Sequence, residues 1–253
     1  MRGLSDKPVI VTGSASGIGR AIALRLGEEG VRVAVFDRNG EGAATTAADI
    51  AARGGTAQAF TVDITDYAAL ARAVDAFEAA HGPLWGLVNN AGWDLAMPFI
   101  ATEPDFWRKV IDINLYGPLN LTHIVARRLV AAGAGRVVSM ASDAGRVGSS
   151  GEAVYSAAKG GIIAFMKTMA RECARQGITF NTVCPGPTDT PLLAAIEPGG
   201  GAKLAEALAR AIPMRRLGTP DDFPGIVAFL LSDDARFITG QTVSVSGGLS
   251  MHG

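Results

Sequence analysis

Charge is the first scarcity. Charged side chains make up 19% of the 253 residues, and 23 Lys and Arg stand against 24 Asp and Glu, a net charge of −1. There is no basic excess to hold a phosphate backbone, so no nucleic-acid partner is expected. Cysteine is nearly missing. Cys173 and Cys184 have neither metal-ligand spacing nor a disulfide framework, and two free thiols suit a reducing compartment. The three histidines, His81, His123 and His252, are scattered too widely to gather a metal. No apolar run reaches membrane-span length without a charge, glycine or proline, and the opening MRGLSDKPVIVTG lacks the apolar core of a signal peptide. The expectation is a cytoplasmic protein with no membrane partner.

What is abundant is aliphatic. Hydrophobic residues make up 48% of the chain, enough for a sizeable core. Short β-branched runs alternate with longer alanine-rich amphipathic runs. Strands are predicted at KPVIVTG, VRVAVFD, TAQAFTVDI, PLWGLVNNAG, GRVVSMAS, ITFNTVCPG and QTVSVSGG. Helices lie between them, including one long stretch from Pro104 to Ala132. Asp66 is a predicted N-cap, and Thr219 with Pro220 opens a later helix. This rhythm makes βαβ units and a parallel sheet covered on both faces. No linker divides the chain, so residues 1–253 are expected to form one domain. The irregular stretch from Gly186 to Leu217 reads either as a flap beside the sheet or as an ordinary surface excursion.

Three local patterns carry chemistry. The first strand ends in TGSASGIGR, placing Gly13, Gly17 and Gly19 between a strand and a helix. That is the context in which a glycine turn lets a pyrophosphate approach a helix N-terminus. A plain tight turn is the alternative. Asp37 ends the second strand, where a carboxylate accepts from ribose hydroxyls and repels a 2′-phosphate, favouring NAD over NADP. Arg38 beside it could instead neutralise such a phosphate. Asp63, ending the third strand, reads equally as an adenine-side residue or a helix-proximal cap. Tyr155 and Lys159 are four residues apart in AVYSAAKGG, so a helix puts both on one face.

Taken together these stretches resemble the short-chain dehydrogenase/reductase family. The matching segments are TGSASGIG, NNAG, INLYG, SMAS, YSAAK, NTVCPGPTDT and ITGQTVSVSGG, in order along the whole chain. The resemblance implies a Rossmann-type, doubly wound, parallel seven-stranded sheet with helices on both faces. It implies the catalytic set Asn114, Ser142, Tyr155 and Lys159, with Ser142 and Tyr155 thirteen residues apart. In that reading Tyr155 exchanges the substrate proton and Lys159 favours its phenolate and bonds the nicotinamide ribose. Ser142 polarises the substrate oxygen, and Asn114 holds a relay water. The dinucleotide, NAD, would meet Gly13, Ser16, Gly17, Ile18, Gly19, Asp37, Asp63, Ile64, Asn90, Ala91, Gly92, Tyr155, Lys159, Pro185, Gly186, Thr188 and Thr190.

The segments NNAGWDLAMPF, TEPDFW and ASDAGRVGSSGEAVYSAAKGG are similar to a branch of the family that oxidises a ring alcohol β to a CoA thioester. On that resemblance Trp93, Asp94, Asp143 and Arg146 are substrate-side candidates near the pocket mouth. Trp93 could equally be a core aromatic. Arg146, Lys203, Arg210, Arg215 and Arg216 could meet a CoA tail, although a solvated helix face explains the last four as well. A general secondary-alcohol dehydrogenase, a 3-oxoacyl thioester reductase and a non-catalytic dinucleotide sensor remain alternatives. The family resemblance also implies a homotetramer. The apolar face with Ile162, Phe165, Met166 and Met169 fits either an interface or burial against the sheet.

Overall fold

A computed structural model describes residues 1–191, 193 and 201–251, with side chains undescribed at 201–204. Seven parallel strands form one sheet: β1 (Pro8–Thr12), β2 (Arg32–Asp37), β3 (Thr56–Thr61), β4 (Gly86–Asn89), β5 (Gly135–Met140), β6 (Ile178–Pro185) and β7 (Thr242–Val245). Their spatial order is β3-β2-β1-β4-β5-β6-β7. The order reverses direction between β1 and β4, and in open α/β sheets ligands settle in the crevice at that switch point.

The strand sequences explain the layering. β1 and β5 are buried along their whole length, as strands covered on both faces must be. Two cores result. One packs Ile10, Leu87, Leu121, Phe180 and their neighbours on one face; the other packs Val9, Val11, Val33, Val138 and Leu231 on the opposite face. The outer strand β3 is the least buried, as expected of a sheet edge.

Local signals act where the sequence places them. The Asp66 carboxylate accepts from the Ala69 N–H at 2.9 Å and starts α3 (Tyr67–His81). Thr219 and Asp222 close a reciprocal capping box ahead of a short 3-10 turn. Helix α1 (Gly17–Glu28) stops where Gly30 takes a φ of +78°.

The stretch from Pro104 to Ala132 departs from a uniform helix. It consists of α4 (Pro104–Ile111), a π segment (Asp112–Tyr116) and α5 (Gly117–Ala132). The cause is Asn114, fully buried inside the π segment. Its amide donates to the Val110 carbonyl at 2.9 Å and to the Trp93 carbonyl at 2.6 Å, and its oxygen accepts from the Trp93 N–H at 3.2 Å. A side chain inserted into the helical ladder widens one turn.

A short helix, α6 (Ala144–Val147), precedes α7 (Ala153–Cys173), which carries Tyr155 and Lys159. Ile162 and Met166 are buried in the sheet-facing core, with Phe165 and Met169 packed beside them. Burial accounts for Ile162 and Met166 on that face, while Phe165 and Met169 are half-buried. The segment 186–217 lies partly outside the described residues; within it, helix α8 spans Gly201–Ala211. Among the described residues no helix is long and apolar enough to cross a membrane.

Candidate active site

A cleft of about 1030 Å³ opens at the C-terminal ends of β1 and β4. It is lined by Gly13, Ser16, Gly17, Ile18, Asp37, Asp63, Ile64, Asn90, Ala91, Gly92, Trp93, Ser142, Asp143, Tyr155, Lys159, Pro185, Gly186, Thr188 and Thr190, with Arg38 also at its wall. Residues spread over most of the sequence thus converge, many of them at the end of a strand or the start of the helix after it.

The glycine turn is tight for a physical reason. Gly13 has a φ of +64°, and a Cβ there would lie 2.7 Å from the Ala91 Cα. A Cβ on Gly19 would lie 2.2 Å from the Gly13 carbonyl oxygen. Gly19 therefore holds the turn closed from behind and does not line the cleft. Asn90 clips the turn to β4, donating to the Thr12 and Gly13 carbonyls at 3.0 and 3.1 Å. Ser16, the residue before α1, makes no side-chain cap bond. The free N–H groups of the first turn face the cleft with the positive end of the helix dipole. This cradle fits a dinucleotide pyrophosphate.

At the end of β2 the Asp37 carboxylate accepts from the Ala15 and Asn39 N–H groups, each at 2.9 Å. It is fixed at the cleft wall. Arg38 beside it is exposed and pairs with no carboxylate among the described residues. Asp63 accepts from the Thr65 N–H and hydroxyl, each at 2.8 Å, and also lines the cleft.

Ser142, Tyr155 and Lys159 share the far end of the cleft. The Ser142 oxygen accepts from the Ala144 N–H at 3.1 Å. Lys159 is only 3% exposed; its ammonium donates to the Met140 carbonyl at 3.0 Å and lies 5.5 Å from the Tyr155 ring centre. Asn114 sits behind this group: the Cβ position on Gly92 is 2.9 Å from the Asn114 oxygen and 3.4 Å from the Lys159 ammonium. Lys159 is expected to favour the Tyr155 phenolate, with the positive nicotinamide of NAD⁺ adding to it. Burial acts the other way and pushes the phenol well above its ordinary value; the Glu152 and Asp94 carboxylates push with it, and the Ser142 hydroxyl opposes them. Burial also lowers Lys159 to about 8, so it remains largely charged at neutral pH.

The substrate-side candidates divide. Trp93 lines the cleft, edge-on to Phe106 with ring centres 5.9 Å apart, and the Lys109 ammonium sits 3.7 Å from the Trp93 ring centre. Asp143 reaches the cleft but is buried, and accepts from the Ser244 hydroxyl. Asp94 is not at the mouth: it is 3% exposed and lies behind the cleft. Arg146 turns away to β7, donating to the Ser244 hydroxyl at 2.8 Å and the Thr242 carbonyl at 3.3 Å. Arg216 pairs with Asp222, and Arg215 donates to the Arg210 carbonyl. The Lys203 side chain and His252 lie outside the described residues. The sequence reading passed over Glu152, which lines the cleft one turn before Tyr155. Its position three residues before the tyrosine was the available signal.

Known proteins place this architecture. Residues 13–250 match the family profile described as enoyl-(acyl carrier protein) reductase. The chain is 40% identical over 243 residues to an acetoacetyl-CoA reductase of Shinella zoogloeoides, covering 96% of this chain and 98% of that protein. It is 36% identical over 246 residues to a 3-oxoacyl-acyl-carrier-protein reductase of Staphylococcus aureus, covering 97% and 98%. A crystal structure of a single-substitution actinorhodin polyketide ketoreductase with NADPH superposes over the full length of both chains, with a TM-score of 0.93 and 33% identity. With a glycine-turned parallel sheet and a matching profile along nearly its entire length, the chain belongs to the short-chain dehydrogenase/reductase family, as an oxidoreductase of CH–OH groups.

Proposed function

We propose that this chain is an NAD-dependent dehydrogenase that interconverts a secondary alcohol and a ketone β to a CoA thioester. Our proposed substrate is 2-hydroxycyclohexanecarboxyl-CoA. The observation that carries the reading is that Ser142, Tyr155 and Lys159 line the same cleft as the glycine cradle. Thioester chemistry is supported by the names of the relatives, an acetoacetyl-CoA reductase and a 3-oxoacyl thioester reductase. The alicyclic ring rests on the likeness of NNAGWDLAMPF and its neighbouring segments to 2-hydroxycyclohexanecarboxyl-CoA dehydrogenase. Trp93 at the cleft wall suits a flat ring.

The dinucleotide, when bound, takes up or delivers the hydride. The chain's own residues handle the proton. Ser142 donates a hydrogen bond to the substrate oxygen and stabilises charge on it. Tyr155 gives its proton to the ketone in reduction and removes the alcohol proton in oxidation. Lys159, held by the Met140 carbonyl, presents its ammonium beside the tyrosine and would hold the nicotinamide ribose. Asn114 fixes the backbone at Trp93 and holds a relay water next to Lys159.

Asp37 is the proposed discriminator of NAD from NADP. With its carboxylate held by two backbone N–H groups it cannot easily swing away from a 2′-phosphate. NAD(H) is expected to be preferred by about tenfold or more, which corresponds to a clash of ~1.4 kcal/mol. Asp37→Ser is expected to relax that preference, because Arg38 then faces the phosphate unopposed. Equal kcat/KM with NAD(H) and NADP(H) in the unaltered protein would reverse the assignment. The second reading, an NADPH-dependent 3-oxoacyl thioester reductase, is favoured by Arg38 at the same wall and by the NADPH in the actinorhodin ketoreductase structure.

The function is tested by following NADH formation from a panel of secondary alcohols and β-hydroxyacyl-CoAs. Turnover of thioesters supports the proposal. Turnover of simple alcohols alone supports a general alcohol dehydrogenase, and binding of NADH with no turnover of any member supports a dinucleotide sensor. We also propose a cytoplasmic homotetramer. Light scattering is expected to give four times the chain mass, and a monomer at micromolar concentration would dismiss that assembly.

A further inference from the structure

Behind the cleft wall lies a second, much smaller chamber. It has a volume of about 10 Å³, about the size of one water, and is lined by Asp94, Met97, Phe99, Phe106, Glu152 and Tyr155 among others. Glu152 and Tyr155 line the chamber and the main cleft alike, so they form the partition between the two. They lie one helical turn apart at the start of α7. Asp94 closes the chamber from the segment after β4. Its Oδ2 is buried with no hydrogen-bond partner among the described residues, and Glu152 lines the same cavity. Carboxylate charge there acts through space on Tyr155 and disfavours a second negative charge on its oxygen.

We propose that Asp94 and Glu152 are positioning residues for the proton chemistry of Tyr155: the small cavity the three share puts carboxyl charge beside the tyrosine, which disfavours the phenolate that takes up the alcohol proton. The proposal deepens the assignment of Tyr155 as the proton-exchanging group and rests on it. The surrounding charges are few. Lys159 faces Asp94 from α7; Cys184 on β6 and the Ser142 hydroxyl face Tyr155; Asp143 and Arg146 face Cys184. Burial, followed by Glu152, lifts Asp94 to about 6, and the buried Cys184 thiol is pushed up to about 12 and stays neutral. The charged groups beside the phenol are therefore the two carboxyl side chains and, opposing them, Lys159. A protein so arranged keeps its proton donor loaded for ketone reduction.

The chain has three tyrosines, so the phenolate absorbance of Tyr155 is isolated by subtracting the pH titration of Tyr155→Phe. The titration is run with and without NAD⁺. Asp94→Asn and Glu152→Gln keep size and hydrogen bonding while removing charge. Each is expected to lower the Tyr155 midpoint by about one pH unit, about tenfold more phenolate at a fixed pH below it. The alkaline limb of 3-hydroxybutyryl-CoA oxidation should move by the same amount. A midpoint that stays in place in the folded variants, with rates lowered equally at every pH, would show a purely structural role and overturn the proposal. If Asp94→Asn does not fold, Glu152→Gln decides alone, since that residue reaches the cleft surface. Retained turnover in Tyr155→Phe would remove the catalytic assignment, whereas the absorbance titration would still report the action of the pair on the tyrosine.

Discussion

Tyr155→Phe is expected to lower turnover by about 10²–10⁴-fold while NADH binding stays nearly intact. The substitution keeps the ring that partitions cleft from chamber and removes one oxygen. It takes away the group proposed to exchange the substrate proton, and the buried neighbours offer no substitute. Cys184 is a neutral buried thiol and Lys159 is bound to the Met140 carbonyl. Fluorescence titration with NADH separates chemistry from binding. Lys159→Ala should differ: it removes the buried ammonium proposed to bond the nicotinamide ribose, so both turnover and NADH affinity should fall. Turnover of Tyr155→Phe at a tenth of the normal rate would dismiss this mechanism.

The second large effect concerns the substrate. kcat/KM for 2-hydroxycyclohexanecarboxyl-CoA is expected to exceed that for free cyclohexanol at least a hundredfold, about 2.7 kcal/mol of transition-state stabilisation. Binding energy from the remote CoA portion can be used to orient the carbinol against Ser142 and Tyr155, so truncation should lower kcat as well as raise KM. The cleft is large enough for dinucleotide and acyl group together. Of the cations first considered for the tail, Arg146 is committed to β7 and Arg216 to Asp222. The gain should therefore come mainly from contacts along the acyl and pantetheine portion, with weak dependence on salt. The measurement is a steady-state comparison of both alcohols at one NAD⁺ concentration. Equal efficiency would leave a general alcohol dehydrogenase as the reading.

The sequence by itself determined the periodic features of this protein. Seven short apolar runs separated by amphipathic ones leave little choice but a parallel sheet with helices on both faces. Gly13, Gly17 and Gly19 mark the turn after β1 because their spacing fits no regular element. The i, i+4 relation of Tyr155 and Lys159 is a property of the helix alone. Asp66 and Thr219 act as caps through neighbours three residues away.

Tertiary structure decided whatever depends on which segments meet. The π segment at Asn114 exists because that amide bonds the Trp93 backbone, a partner 21 residues away that no local pattern indicates. Arg146 read as a substrate cation until β7 packed beside it. Ile162 and Met166 face the sheet, where the apolar stripe of α7 alone could not tell a core from an interface. The state of Tyr155 is the clearest case. Local spacing offers a lysine to favour its phenolate, while burial and two carboxylates brought in by the fold act the other way. Desolvation and charge act through space, and Asp94 is brought close to Tyr155 only when the segment after β4 folds over the start of α7.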